Sequence, residues 1–416
     1  MFRIPNDETV RRGRGREEGP AVSSVYPVSH TNTGDKGAKV RMRRFLAVAL
    51  LLVIAATMPF TVSAKEPVKL GFITPLTGDV KTYGESSKNA FLLALEQYGK
   101  TGRYAISPVI ADDRNDPTEG ANAALKLITQ DKVLAVVGPL TSKVSIPVSE
   151  ICEKYKIPMI TGAATNPKVT VYEGRRKGYV FRACFIDPFQ GGIAANFALS
   201  NLKAKTAAVL FDVGNDYSKG LAEVFRATFI KGKGNIVAYE SYQKDDVDFS
   251  ALVSKVALKK PDVLYIPDYY NKVVLIARQV RERGIKSPML GGDGWDSPEL
   301  LKAGNAIMGN YFTNHYSVQS KDPVTRQFIA SYKAKYGALP DALAALSYDA
   351  TRMMLQALDT AKRPSGSEMK AVLSGLRDFK GATGTIRFDK NGDAVKSAVV
   401  LRVAKDGFGY VTTVNP

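Results

Sequence analysis

The feature that most constrains this chain is a regular alternation of short apolar segments with amphipathic helical segments, in two successive series. In the first series, roughly 66–184, strand-like runs such as VKLGFI and VLAVVG alternate with helical patterns such as 85–98. The second series, roughly 185–314, repeats the alternation with TAAVLF, DVLYIP and PMLGG. Strands that alternate with helices of this length indicate parallel βαβ units. The sequence therefore predicts an α/β protein with two Rossmann-like parallel-sheet lobes.

The segment after residue 314 has a different pattern. It predicts two long helices, one short helix, and two strands near 383–388 and 396–404. Such a tail cannot form a third α/β domain, so we expect it to return and complete both lobes through a multi-strand hinge. The predicted lobes are 65–184 plus 315–390, and 185–314 plus 391–416.

The N-terminal region predicts export. Arg43 and Arg44 precede an uncharged run from Phe45 to Ala64 that ends in small residues. This order is typical of a secretory signal peptide, here 42–64, with cleavage after Ala64 and a periplasmic mature protein. The alternative is an uncleaved membrane anchor, because the run approaches the ~20 residues that span a bilayer. Residues 1–41 have no periodicity, and we interpret them as a non-native or disordered extension.

The net charge and the few cysteines and histidines limit the classes of function that this chain can have. The formal net charge is +18, which could suggest nucleic acid, but the lysines are scattered along helix faces and the chain is predicted to be exported. Cys152 and Cys184 either form a disulfide or remain buried free thiols. One histidine, His315, follows residue 64, so the sequence offers no zinc-type cluster and implies no cofactor.

The candidate site residues follow the ends of predicted strands. Ligands of open parallel sheets bind beyond the carboxyl ends of the strands, and two facing sheets create a cleft there. After the strand IPMIT comes GAATNP, in which small side chains would let a ligand reach the backbone. The residues that we expect to line the cleft are Tyr83, Ser142, Ala163, Ala164, Thr165, Tyr217, Tyr269 and Asp293.

These residue types suit a zwitterionic α-amino acid. A serine hydroxyl at a helix N-terminus, together with the Thr165 amide and hydroxyl, would bind a carboxylate. The Asp293 carboxylate would bind an ammonium group, and the tyrosines would surround a side chain. Each residue also has a simpler interpretation, since Ser142 could only cap a helix and Asp293 could only form a turn.

Enzyme motifs are absent from the sequence: it contains no complete G-x-G-x-x-G after the first strand, no P-loop and no G-x-S-x-G elbow. Binding is therefore favoured over catalysis. An exported enzyme and a ligand-sensing module remain alternative hypotheses.

The ordered motifs TPLTGDVKTYGE, DDRNDP, VVGPLTSKVSIPVSEI, IPMITGAATNPKVT, VFRACFIDPFQG and PMLGGDGWDSPEL resemble those of the periplasmic branched-chain amino acid binding proteins, across 66–416. The resemblance implies a type I periplasmic-binding-protein fold, an amino acid ligand, delivery to the permease subunits of an ABC transporter, and a monomer. It also implies that the cleft closes around the ligand, with hinge segments near 184–187, 313–316 and 388–392.

The resemblance also implies residue roles. The ligand carboxylate would contact Ser142 and the loop at Ala163 and Thr165, and the ammonium would contact the Ala163 carbonyl, Tyr217 and Asp293. Tyr83 and Tyr269 would line the side-chain pocket.

Two departures from the family pattern bear on these roles. A cysteine pair of the family falls on Asn115 and Thr141, so that disulfide is absent here. Asp268 stands where glycines are common. Either Asp268 faces the cleft and favours a polar or cationic amino acid or an amide, or it points to solvent and leaves an apolar ligand.

Overall fold

The structure is a computed structural model that describes residues 23–29, 41–47 and 65–416. Residues 65–416 form one compact unit, and residues up to Ala64 belong to a separate unit. Residues 41–47 are helical and exposed, while most of the predicted signal peptide and its cleavage point after Ala64 lie outside the described residues. Among the residues that are described, no helix is long and apolar enough to cross a bilayer.

The first sheet contains five parallel strands in the order β2-β1-β3-β4-β7. Its strands and helices are β1 (Glu66–Thr74), α1 (Lys81–Thr101), β2 (Tyr104–Asp112), α2 (Pro117–Thr129), β3 (Ala135–Val137), α3 (Ser142–Tyr155), β4 (Met159–Thr161), the small hairpin β5 (Val171–Tyr172) and β6 (Arg175–Arg176), and β7 (Val180–Arg182). Residues 70–74 at the end of β1 are buried without alternation, as expected for a strand covered on both faces.

The second sheet contains seven strands in the order β17-β16-β12-β11-β10-β8-β9. Its elements up to β12 are α4 (Asp187–Ser200), β8 (Thr206–Asp212), α5 (Asp216–Lys231), β9 (Asn235–Tyr242), α6 (Ser250–Lys259), β10 (Val263–Tyr265), α7 (Tyr270–Glu282), β11 (Met289–Gly291), the 3₁₀ turn Asp293–Trp295, the 3₁₀ helix Pro298–Ala306 and β12 (Tyr311–Asn314). The five strands β8 to β12 pair in parallel. Two parallel sheets with helical connections confirm the predicted fold class.

The tail contributes to both regions. It contains α8 (Pro323–Tyr336), α9 (Ala342–Thr360), α10 (Gly366–Ser374), β13 (Phe379–Gly381), β14 (Gly384–Phe388), β15 (Ala394–Val395), β16 (Ala398–Ala404) and β17 (Gly407–Val414). Helix α9 packs against α1 and adjoins β3 and β4, whereas β16 and β17 extend the second sheet as antiparallel strands. Strand β15 pairs with β14 and not with the second sheet. The assignment of two lobes with the stated boundaries stays a prediction.

The local signals explain several element boundaries. Helix α2 begins as its sequence indicates, because Pro117 is its first residue and the Asp116 carboxylate accepts hydrogen bonds from the amides of Thr118 and Glu119.

Cys152 and Cys184 are both buried and free. Burial raises the pKa of each thiol to about 12, so both remain protonated packing residues.

Candidate functional site

A cavity lies between the carboxyl ends of the two sheets. The space left for solvent inside it is about 20 Å³, roughly what one water molecule needs, so its walls must move apart to admit an amino acid. The lining residues are Tyr83, Leu140, Thr141, Ser142, Ala163, Tyr217, Tyr269, Asp293, Gly294 and Leu343. Six of the eight sequence-predicted site residues are therefore in one cavity, and Ala164 and Thr165 are not among the lining residues.

One wall of the cavity is the N-terminus of α3. Ser142 is the first residue of this helix and is buried. Thr141 precedes it and donates its hydroxyl to the Asn115 side chain at 2.9 Å instead of capping the helix. This hydrogen bond joins the two positions at which the sequence analysis noted the absence of a cysteine pair. Backbone amides at an uncapped helix start favour an anion.

The GAATNP loop is held from behind by Arg182 on β7. Its guanidinium donates to the carbonyl oxygens of Ala164 at 2.7 Å and Asn166 at 3.0 Å, and it lies 2.7 Å from the Asp393 carboxylate. Ala164 is fully buried in an apolar cluster of the first sheet and its helices, and it does not line the cavity. The Thr165 hydroxyl is buried and lies beside the Asp187 carboxyl group, but it makes no hydrogen bond of normal geometry among the described residues.

Asp293 is the centre of a buried hydrogen-bond network. Its Oδ1 accepts hydrogen bonds from the Tyr217 hydroxyl and from Gln190 Nε2, both at 2.8 Å. Its Oδ2 lies 2.9 Å from His315 Nε2. The Tyr217 hydroxyl in turn accepts from the Gly294 amide at 2.9 Å. The carboxylate is therefore held in one orientation at the cavity wall.

Three tyrosines form another wall of the cavity, to which they contribute aromatic rings and hydroxyl groups. Tyr217 and Tyr269 stack with ring centroids 5.2 Å apart, and Tyr83 meets Tyr269 edge-on at 6.0 Å. The Tyr83 hydroxyl donates to the Gly294 carbonyl across the cleft. Burial raises the pKa of all three phenols well above its usual value, so they stay neutral and can donate hydrogen bonds.

Further bonds link the two sides of the cleft. The Asn166 amide donates to the Asp216 carbonyl at 2.9 Å, and Lys168 pairs with the Asp216 carboxylate at 3.0 Å. The Tyr270 hydroxyl donates to the Asp79 carbonyl at 3.2 Å. These bonds hold the two sides of the cleft in contact with each other.

Asp268 is buried, so the expectation that it points to solvent is wrong. Its Oδ2 accepts a hydrogen bond from the Tyr242 hydroxyl, and its Oδ1 accepts the Tyr269 amide at 2.7 Å. It does not line the cavity. Burial raises its pKa to about 7, against the opposing effect of these donors. Asp268 therefore lies behind Tyr269 and does not add a second charge to the cavity wall.

The sequence analysis missed two further polar residues near the cavity, Asp187 and Gln190. Asp187 is the first residue of α4 and is 1% exposed. Neither of its oxygens makes a hydrogen bond of normal geometry with the described residues, and burial raises its pKa to about 8. The Ile-Asp-Pro sequence signals a helix start but does not reveal that this carboxylate is buried near Asp293.

The described ranges 23–29, 41–47 and 65–416 contain no cluster of three or more His, Cys, Asp or Glu residues suited to a metal ion. The site can bind a small molecule that carries a negative charge, a positive charge and an apolar part. Its groups are an uncapped helix start, a fixed carboxylate, neutral phenols and two leucines.

Comparisons with known proteins agree with this description. The family model described as "Periplasmic binding protein" matches residues 67–407. The chain is 33% identical over 349 residues to Leu/Ile/Val-binding protein homolog 3 of Brucella melitensis, an alignment that covers 82% of this chain and 92% of the relative.

Two solved structures are similar over nearly their whole length. The leucine binding protein LivK from Thermotoga maritima is 39% identical with a TM-score of 0.80, covering 84% of this chain and 99% of that one. The branched-chain amino acid transporter substrate binding protein LivJ from Streptococcus pneumoniae, in complex with isoleucine, is 32% identical with a TM-score of 0.79, covering 84% and 100%. This chain belongs to the periplasmic binding protein family.

Proposed function

We propose that this protein is an extracytoplasmic solute-binding protein that captures an amino acid with a branched or other apolar side chain and delivers it to an ABC permease. The observation that carries the proposal is the content of one small cavity. It holds an uncapped helix start at Ser142, an oriented carboxylate at Asp293 and the apolar side chains of Leu140 and Leu343.

Each part of an apolar α-amino acid has a partner in this set. The ligand carboxylate binds at the N-terminus of α3 and at the Thr165 hydroxyl, and the ammonium binds Asp293, Tyr217 and the Ala163 carbonyl. The side chain lies among Leu140, Leu343 and the tyrosine rings. Relatives described as Leu/Ile/Val-binding proteins, and an isoleucine complex of a similar fold, support the same ligand class.

The proposal extends to the route of the protein. It is exported by the 42–64 signal peptide, is released by cleavage after Ala64, acts as a monomer and catalyses no reaction. Deleting its gene should lower uptake of labelled leucine, and recovered ligand should be chemically intact. Unchanged uptake together with a change in gene expression would support a sensing role, and a converted ligand would support an enzyme.

The binding claim is tested with Asp293→Asn, which keeps the shape of the side chain but removes the charge. Equilibrium binding of labelled leucine should weaken by about two orders of magnitude, because a buried carboxylate partner of an ammonium is lost. Asp245→Asn, at an exposed position, is the matched control and should bind as the wild type does. Equal affinity of the two variants would contradict the proposed site.

A further inference from the structure

The Asp293 carboxylate has nearly all of its hydrogen-bonding capacity in use. A carboxylate offers about four acceptor positions. Tyr217 and Gln190 occupy two positions on Oδ1, and His315 occupies one on Oδ2. The position that is left for a ligand is therefore on Oδ2, the same oxygen that contacts His315.

The surroundings of His315 fix where its proton lies. Its side chain is fully buried, and its Nδ1 has no hydrogen-bond partner within the described part of the chain. A proton on Nδ1 would leave that donor unsatisfied and would turn the lone pair of Nε2 toward a carboxylate, and both cost free energy. Neutral His315 consequently carries its proton on Nε2 and donates it to Asp293.

A second proton on His315 is also unfavourable. Burial lowers its pKa, against the opposing effect of the hydrogen bond to Asp293, and Lys396 adds a smaller lowering. A charged imidazolium would therefore need an acceptor for Nδ1 that the described residues do not supply. His315 thus orients Asp293 without neutralising its charge.

The position of His315 connects the site to segments that join the two sheets. His315 directly follows β12, and its ring stacks on Phe185 with centroids 3.7 Å apart. Phe185 lies between β7 of the first sheet and β8 of the second. The neighbouring Asn314 donates to the Asp296 carboxylate at 2.7 Å. Asn314 and His315 together therefore hold both ends of the 3₁₀ turn that carries Asp293.

We propose that His315 is a positioning residue that holds the Asp293 carboxylate for a ligand ammonium and so sets the preference for an α-amino acid over the same molecule without its amino group. The inference rests on the proposed function. The inference assigns a role in ligand discrimination to a residue that does not line the cavity. His315 would act through a single atom, Oδ2 of Asp293.

The test compares His315→Leu, His315→Gln and His315→Asn with two probes, leucine and 4-methyl-2-oxopentanoate, the 2-oxo analogue that lacks the ammonium. Glutamine can place its amide nitrogen near the position of Nε2, whereas leucine has no donor and asparagine is too short. His315→Leu and His315→Asn should bind leucine about ten- to a hundredfold more weakly, the effect of losing one hydrogen bond to a charged group. His315→Gln should bind leucine within about threefold of the wild type.

The analogue separates positioning from general damage to the fold. Its affinity should change by less than about threefold in all variants, since it makes no bond that depends on Asp293 charge. Phe185→Leu removes the ring stack but keeps the His315–Asp293 bond, so it should lower the melting temperature without changing the preference for leucine over the analogue. If His315→Leu does not fold, the Gln and Asn variants carry the comparison.

Two results would overturn the inference. One is leucine binding by His315→Leu and His315→Asn within about threefold of the wild type, and the other is an equal loss for leucine and its analogue. Failure of the wild type to bind leucine at all would instead contradict the proposed function. The two claims therefore fail in distinguishable ways.

Discussion

Replacing Asp187 with asparagine should remove a specific pH dependence from the stability of the ligand-free protein. Asp187 is 1% exposed, and its oxygens lack hydrogen bonds of normal geometry to the described residues. Burial, the main cause, raises its pKa to about 8; the adjacent Thr165 hydroxyl opposes this shift, and the nearby Asp293 carboxylate adds to it. The folded protein therefore keeps this carboxyl group protonated at neutral pH.

The expected magnitude follows from proton binding in the two states. An aspartate in the unfolded chain has a pKa of about 3.9, so between pH 5 and pH 8 the unfolded state has released a proton that the folded state retains. The free energy of unfolding then falls as pH rises, by about 1.4 kcal/mol per pH unit. Across this window the wild type should lose up to about 4 kcal/mol from this group. Asparagine has the same shape as the neutral carboxyl group and contributes no such loss.

Urea unfolding of both proteins at pH 5, 6, 7 and 8, after removal of bound ligand, measures this effect. Other buried acids with a raised pKa, such as Asp268, are present in both proteins and cancel in the difference. The stability advantage of Asp187→Asn should grow with pH, whereas the exposed control Asp245→Asn should show no such growth. A difference that stays within about 0.5 kcal/mol from pH 5 to pH 8 would refute the reasoning.

Three further predictions test packing, binding and closure. Gly84→Ala should lower the free energy of unfolding by about 1–3 kcal/mol, because the new Cβ would lie 1.9 Å from a backbone carbonyl oxygen. The control Gly99→Ala, in the same helix, meets nothing within 4 Å and should stabilise the protein. Equal stabilities of the two variants in chemical unfolding would contradict this prediction. Ser142→Ala should weaken leucine binding in calorimetry by about tenfold, and unchanged affinity would remove Ser142 from the site. Lys168→Ala should change affinity less than about fivefold, since its ion pair with Asp216 is largely exposed, and a larger loss would show that closure depends on this pair.

The sequence predicted the two sheets because buried parallel strands leave a local pattern of short apolar runs between amphipathic helices. It also placed Ser142, Tyr217, Tyr269 and Asp293 near one another, since the carboxyl ends of parallel strands meet at one edge. Strand β17 was not predicted. Its residues alternate between partial burial and exposure at the sheet edge, so they lack the continuous apolar run that marks the central strands.

The environment of individual side chains could not be predicted, because their partners are distant in sequence. Asp268 is buried and accepts a hydrogen bond from Tyr242 on β9, a strand that β8 separates from β10. The Ala164 carbonyl accepts a hydrogen bond from Arg182 on β7, and nothing in the GAATNP loop itself indicates that contact. Gln190 reaches Asp293 across 103 positions of sequence. Local pattern thus specifies where the chain runs, while tertiary contacts specify what each polar group meets.

The most direct test of the account is a calorimetric titration of the purified protein, unfolded to strip bound ligand and then refolded, against each of the twenty amino acids. The account predicts saturable binding of one leucine, isoleucine or valine per chain, with much weaker binding of charged amino acids. Absence of saturable binding by any amino acid would contradict the central claim, and preferential binding of charged or amide side chains would contradict the apolar pocket.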